Sequence, residues 1–170
     1  MNKMMRTRNF FACMTIAVLG YGSQANAADP SGPPDFSLNF AAGVACDFEL
    51  GVDGWNGKGH IKEFKDKKGF VRSLLAGTGS ALRFKNVATG TTVSFKSNGS
   101  VEHKTTYSLD GSYTVSGTGH YVVILFPTDI PAGPSTTLYV GQIVFSSDAA
   151  NNFTVLKESG NKTDICAALS

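Results

Sequence analysis

The sequence offers few residues in the spacings that catalysis or metal binding requires. Its three histidines, His60, His103 and His120, lie far apart, and none belongs to an HxH or HExxH pair. No GxSxG motif marks a nucleophilic serine. Asp47 and Glu49 alternate on one predicted strand face, which is typical of solvent-facing carboxylates rather than of a glycosidase pair. We therefore predict no catalytic residue, no metal and no cofactor, and keep as the alternative a secreted hydrolase whose site forms only in the fold.

A basic segment from Lys58 to Lys104 is the most uneven feature of the chain. It holds ten basic and three acidic residues, a local charge of +7, whereas the rest of the chain after residue 27 has two basic and ten acidic residues, a charge of −8. Many of these lysines alternate with apolar residues, so a merely solvated surface is one interpretation. The more specific interpretation is a binding site for an anionic polymer, a glycan or an acidic protein surface.

The single tryptophan, Trp55, lies in the glycine-rich stretch Asp53 to His60, which predicts an exposed loop. An aromatic face there could stack on a sugar or a partner protein, and the alternative is that the ring folds back to cover the sandwich edge. The predicted ligand-binding residues are Trp55, Lys58, His60, Lys62, Lys65, Lys67 and Lys68.

Residues 1–27 have the features of a signal peptide. A basic start precedes the apolar run Phe10 to Leu19, and Ala25-Asn26-Ala27 is a small-x-small cleavage site. The run is too short for a membrane span, and no later stretch approaches the roughly 20 apolar residues that a span needs. We expect a secreted protein with a flexible leader over residues 28–35 and one domain over residues 36–170, and export argues against a nucleic-acid partner.

Two cysteines, Cys46 and Cys166, follow the predicted cleavage site. Cys46 lies on the apolar side of Val44 to Val52, whose alternation predicts a half-buried β-strand. Because exported proteins form disulfides, we predict a bond between the two cysteines, with two buried free thiols as the alternative. With about 120 residues between them, such a bond stabilises the fold by roughly 4 to 5 kcal/mol in the chain-entropy model.

The remaining pattern predicts an all-β domain. Short alternating runs are separated every eight to twelve residues by glycine or asparagine, which is typical of a sandwich or a barrel. We predict a single-domain antiparallel β-sandwich of about nine strands, with a β-barrel as the alternative. The continuous apolar run Tyr121 to Phe126 favours the sandwich, because such a strand is most easily buried between layers.

Local signals predict several connections. Turns at Asp66 to Gly69 and at Ala88 to Gly90 each form a hairpin, Asn98-Gly99 forms another turn, and Gly117-Thr118-Gly119 separates two strands. The hydrophobic phase shifts across Gly141-Gln142, which predicts a β-bulge there.

Several phrases of the sequence resemble a family of small exported all-β proteins of unknown function that is common in actinobacteria. They include ACDFELGV, HIKEFKDKKG, LAGTGSAL, ILFPTDIPAGPSTTLYVG and the terminal TDICAALS. The resemblance covers nearly all of the chain after the signal peptide, and Cys46 and Cys166 match the family's cysteine positions. It implies an exported all-β domain and brings no catalytic residue, cofactor or substrate.

Overall fold

A computed structural model describes residues 16–18, 32–55, 57–95 and 100–170, with side chains described outside 16–18 and 100–104. The strands and the one helix of the described residues follow in chain order: β1 Ile16–Val18, β2 Phe36–Phe40, β3 Leu50–Trp55, β4 Gly59–Lys65, β5 Val71–Thr78, β6 Ala81–Asn86, β7 Thr92–Phe95, β8 Ser100–Tyr107, β9 Tyr113–Leu125, β10 Ser135–Ser147, β11 Phe153–Asp164 and α1 Ile165–Ala168.

The smaller of two antiparallel sheets has the order β2-β3-β6-β7. Phe36 pairs with Gly54 across β2 and β3, and a Cβ on Gly54 would lie 1.9 Å from the Phe36 ring. Gly54 therefore lies in a strand, not in a loop, and its missing side chain leaves room for the Phe36 ring. Trp55 is the last residue of β3, so its predicted place in an exposed loop is wrong.

The larger sheet has the order β11-β10-β9-β8-β5-β4. The predicted hairpins β4–β5 and β6–β7 are both present. The short strand β1 pairs with β9 from Ile16 opposite Val122 to Val18 opposite His120, next to the stretch that β8 pairs. The predicted cleavage site and the turn at Asn98-Gly99 lie outside the described residues.

The two sheets pack face to face over one apolar core, so the predicted all-β sandwich is confirmed and neither sheet of the described residues closes into a barrel. Leu50, Val52, Leu82 and Phe84 contribute from the small sheet, and Val122 is one of the residues that the large sheet contributes. Burial of these side chains is the main stabilising term, at about 25 cal/mol per Å² of apolar surface removed from water.

A second core lies on the opposite face of the large sheet. It is built from β9, β10 and the start of β11, and Tyr121, Tyr139, Phe145 and Phe153 are its aromatic buried side chains. Residues Tyr121 to Leu125 of β9 are therefore buried on both faces, as the continuous apolar run predicts. Odd-numbered residues of β9 and β10 face the second core, and even-numbered residues near the sandwich face the first.

Three glycines form a row across the large sheet. Gly141 of β10 lies opposite Gly119 of β9 and Gly160 of β11, with φ angles of 148°, 93° and 94°. Only glycine adopts these angles without strain. The row separates the part of the sheet under the small sheet from the remainder. It also shows that Gly117-Thr118-Gly119 lies inside strand β9, so the predicted turn there is wrong.

The predicted bulge at Gly141-Gln142 is also wrong. The pairing of β9 with β10 runs without a shift from Ser135 to Ser147, and the irregularity occurs in the pairing with β11, where Val144 faces Lys157 and Phe145 faces Val155. The extra residue is Leu156. The apparent change of phase along β10 arises because Leu138 and Val140 face the first core, whereas Ile143 and Phe145 face the second.

The disulfide Cys46–Cys166 is present, with the two Cα atoms 5.6 Å apart. Cys46 lies in the connection between β2 and β3 rather than on a strand, because β3 begins only at Leu50. The buried Thr136 hydroxyl donates to the carbonyl of Ala45 at 2.9 Å, which fixes this connection against β10. Cys166 lies in α1, whose first turn is capped by the Asp164 carboxylate.

The described part of the chain contains no helix with the length and apolar composition that a bilayer crossing requires.

Candidate functional site

The β4–β5 hairpin carries most of the predicted binding residues. Every residue of β4 is exposed, and Ile61 and Phe64 retain 68% and 47% of their surface. Lys58 precedes the strand but already pairs with Thr78, since the Thr78 amide donates to the Lys58 carbonyl. Six of the seven predicted residues therefore lie on one continuous hairpin: Lys58, His60, Lys62, Lys65, Lys67 and Lys68. We call it the basic hairpin.

Successive side chains of a strand point to opposite faces of the sheet, so these residues divide between the two faces. Lys58, His60 and Lys62 point to one face, at intervals of roughly 7 Å, because two residues of a strand rise about that far. Lys65 points to the other face, and Lys67 and Lys68 lie in the turn beyond the strand. The basic hairpin is thus a linear array of positive charge rather than a pocket.

The turn of the basic hairpin is held by one carboxylate. Asp66 Oδ1 accepts from the backbone amides of Lys68 and Phe70 at 2.9 and 3.0 Å. The Arg72 guanidinium donates to Asp66 Oδ2 from two nitrogens, at 3.0 and 2.8 Å, and also to the Thr106 hydroxyl. These bonds, led by that of Arg72, hold the pKa of Asp66 below its ordinary value. The turn therefore presents its two lysines from a fixed backbone.

Trp55 does not lie with the outer lysines. From Lys58 to Lys65 the strand extends over roughly 23 Å, so Trp55 is near the base of the hairpin and far from the turn. Its indole N–H donates to the carbonyl of Gly32 at 3.3 Å, and the Arg83 guanidinium lies 5.4 Å from the ring centroid. The ring is thus held on the small sheet, at the end of β3, which lies between β2 and β6.

The histidines are not brought together where the structure describes them. His60 lies on β4 and His120 on β9, with β5 and β8 between them, a separation of roughly 15 Å at the usual strand spacing. Burial lowers the pKa of His120 below its ordinary value. The side chain of His103 lies outside the described residues. Within the described ranges, no three histidine, cysteine or carboxylate side chains form a group that could hold a metal ion.

A cleft of about 640 Å³ on β10 and β11 is the feature that sequence reasoning missed. Tyr139, Glu158, Lys162 and Asp164 line it, with Leu125 at its apolar side. Burial, followed by the charge of Glu158 and its hydrogen bond, raises the pKa of Tyr139 to about 12. No local sequence motif predicts this cleft. Its residues are far apart in sequence and come together only through the register of β10 and β11.

The two carboxylates of the cleft already have structural partners. Glu158 accepts from the Lys162 ammonium at 2.7 Å and from Tyr139, and Asp164 accepts from the amide of Ala167 at 2.9 Å as the cap of α1. Asp47 and Glu49 are exposed and lie in the connection before β3, so their predicted place on one strand is wrong. The two carboxylates that line the cleft are thus already engaged, Glu158 in an ion pair and Asp164 in a helix cap.

A scan of the sequence against protein-family models finds no match, and searches of the curated proteins and of the solved structures find no significant similarity. The family resemblance therefore stays a prediction.

Proposed function

We propose that the protein is an exported, non-enzymatic binding module that takes a linear anionic polymer, such as an acidic wall polymer or an acidic glycan, along the basic hairpin. The observation that carries this proposal is the row formed by Lys58, just before β4, and by His60 and Lys62 on this fully exposed strand. Their regular spacing suits a chain that repeats its negative charge at a similar interval.

Two further observations support the proposal. Lys67 and Lys68 extend the array past the end of the strand on a turn that Asp66 holds rigid, so little conformational entropy is lost when a ligand binds. The disulfide Cys46–Cys166 is of the kind that persists in oxidising compartments, which supports export. Trp55 would contact only the ligand segment at the base of the hairpin, beside Lys58.

The test is a binding screen against immobilised anionic wall polymers and acidic glycans at low and moderate salt. We expect binding that weakens steeply as salt rises, because exposed charges are screened over about 10 Å at 0.1 M. The variant with Lys58 and Lys62 changed to Gln, which removes both lysines of the row, should bind at least about tenfold more weakly. Trp55→Ala should have a smaller effect.

The matched control changes Lys85 and Lys157 to Gln, which removes positive charge from β6 and β11 and leaves the hairpin intact. If the affinity for the polymer changed neither with salt nor with the hairpin substitutions, the binding site would lie outside the basic hairpin. Cleavage of the polymer during the assay would instead favour the hydrolase.

A further inference from the structure

Strand β4 is an edge of the large sheet, and among the described strands it pairs only with β5. The amide of Thr78 donates to the carbonyl of Lys58, and the amide of Asp66 donates to the carbonyl of Phe70. In an antiparallel ladder, alternate residues direct their backbone groups to the same side. The even-numbered residues of β4 therefore bond to β5, and Ile61, Glu63 and Lys65 turn their N–H and C=O groups outward.

An outward edge of this kind is a template for another strand. Long exposed edges are usually blunted by charge, and β4 carries Lys62 and Lys65. The same strand also carries one acid, Glu63, between these two lysines. The outer half of β4 and the first residue of the turn read Lys62-Glu63-Phe64-Lys65-Asp66, a sequence whose charges are complementary to themselves when it is read in the opposite direction.

We propose that two copies of the chain pair antiparallel through β4, with the twofold axis at Phe64. In this register Glu63 faces Lys65 on either side of the axis and Phe64 faces Phe64, so two pairs of opposite charge form and two exposed aromatic rings pack together. Lys62 lies opposite Asp66, whose carboxylate remains bound to Arg72 and to the turn. Glu63 and Lys65 have outward backbone groups, and they become the hydrogen-bonded pairs. The interface is isologous, as a twofold dimer requires.

Neighbouring registers are unfavourable. If the twofold axis lay at Glu63, Glu63 of one copy would face Glu63 of the other. If it lay at Lys65, Lys65 would face Lys65. Like charges directly opposite each other destabilise a strand pair, so the charge pattern selects the register at Phe64. The pairing joins the two large sheets edge to edge and places the two basic hairpins side by side.

The paired segment is short, so the dimer is weak. Its area is expected below the roughly 1,200 Å² that marks the smaller specific interfaces, and its population should therefore depend on concentration in the micromolar range. Dimerisation needs no ligand, so its test is independent of the proposed polymer binding.

Sedimentation velocity of the purified protein over a series of micromolar concentrations measures the monomer–dimer equilibrium directly. Lys65→Glu alone, or Glu63→Lys alone, should weaken the dimer about tenfold or more, because each creates two like-charged pairs across the axis. The double exchange Glu63→Lys with Lys65→Glu restores opposite charges in the same places. It should return the dissociation constant to within about threefold of the original.

Two further variants separate pairing from folding. Glu63→Pro removes an outward amide that β5 does not use, so the hairpin should form and the dimer should be lost. Lys157→Glu, on the opposite edge strand, should leave dimerisation unchanged. A wild-type chain that stays monomeric throughout, or a double exchange that fails to rescue the single ones, overturns the proposal.

Discussion

The guanidinium carbon of Arg83 lies 5.4 Å from the centroid of the Trp55 ring, so a cation of the small sheet covers one face of the only tryptophan. Tryptophan fluorescence of the protein therefore comes from this ring alone. We expect Arg83→Gln to increase acrylamide quenching of Trp55, because the covered face becomes accessible. Arg72→Gln, in the other arginine–aspartate pair, should leave quenching unchanged. Equal quenching in the wild type and Arg83→Gln would contradict the contact.

The pKa of Asp53 predicts an acid dependence of stability. Burial, the largest single effect, raises this pKa, but hydrogen bonds from Ser37 and Arg83 and the charges of Arg83 and Lys85 bring it below the ordinary 3.8. The ionised carboxylate therefore stabilises the fold above pH 3.8, and this contribution is lost as pH falls through the lower folded-state pKa.

We expect Asp53→Asn to lower the free energy of unfolding at neutral pH by roughly 1 kcal/mol, since it breaks a half-buried pair. Denaturant titrations of both proteins at decreasing pH should converge below pH 3.8. Asp47→Asn, an exchange at an exposed carboxylate, is the control and should have little effect at either pH. A difference that persists unchanged in acid would show that charge is not its cause.

Tyr139 gives the complementary prediction in alkali. Its pKa of about 12 is raised above the ordinary 10.0, so its contribution to stability is complete below pH 10 and is lost as pH rises toward 12. Subtracting the phenolate absorbance titration of Tyr139→Phe from that of the wild type should leave a curve with its midpoint near 12. Glu158→Gln should move this midpoint down only in part, because burial is the larger cause. A midpoint near 10 would contradict the burial of this hydroxyl.

The glycine row predicts a position-specific cost of adding a methyl group. A Cβ on Gly141 would lie 2.2 Å from the carbonyl oxygen of Ser159, a backbone atom that cannot move aside, whereas a Cβ on Gly111 meets nothing within 4 Å. Both glycines have positive φ angles. We expect Gly111→Ala to cost about 1 to 2 kcal/mol and Gly141→Ala to cost about 3 kcal/mol or more in urea unfolding. If the two substitutions lowered the free energy of unfolding equally, the backbone around Gly141 would have room for a methyl group, which would contradict the close approach of the strands.

Local chemistry made some features predictable. The Asp66 to Gly69 turn follows from a carboxylate that bonds the next amides and a glycine with a φ of 84°, and the hairpin needs no distant contact. The double-sided strand after Tyr121 was predictable because a continuous apolar run requires cover on both faces. The disulfide followed from two isolated cysteines in a chain predicted to be exported.

Other features depend on contacts that no local pattern contains. The glycine-rich sequence around Gly54 predicts a loop, whereas Gly54 lies in a strand. The residue that explains this glycine, Phe36, lies eighteen positions earlier in the sequence and contacts it only through strand pairing. Val44 to Phe48 alternates like a strand, yet the disulfide and Thr136 hold Ala45 and Cys46 in a bent connection. The cleft at Tyr139 was not predicted, because it depends on the register of β10 and β11.

The bond between Cys46 and Cys166 turns most of this protein into a covalent ring, since the two cysteines are 120 positions apart and β3 to β11 all lie between them. One cut in the exposed turn at Lys67 or Lys68 would open the ring without dividing the molecule. After brief trypsin treatment, we expect a nicked species that migrates as one chain without reductant and as two fragments with it. Two fragments without reductant would show that the ring had not closed. A chain closed in this way keeps its two pieces joined after a first proteolytic cleavage.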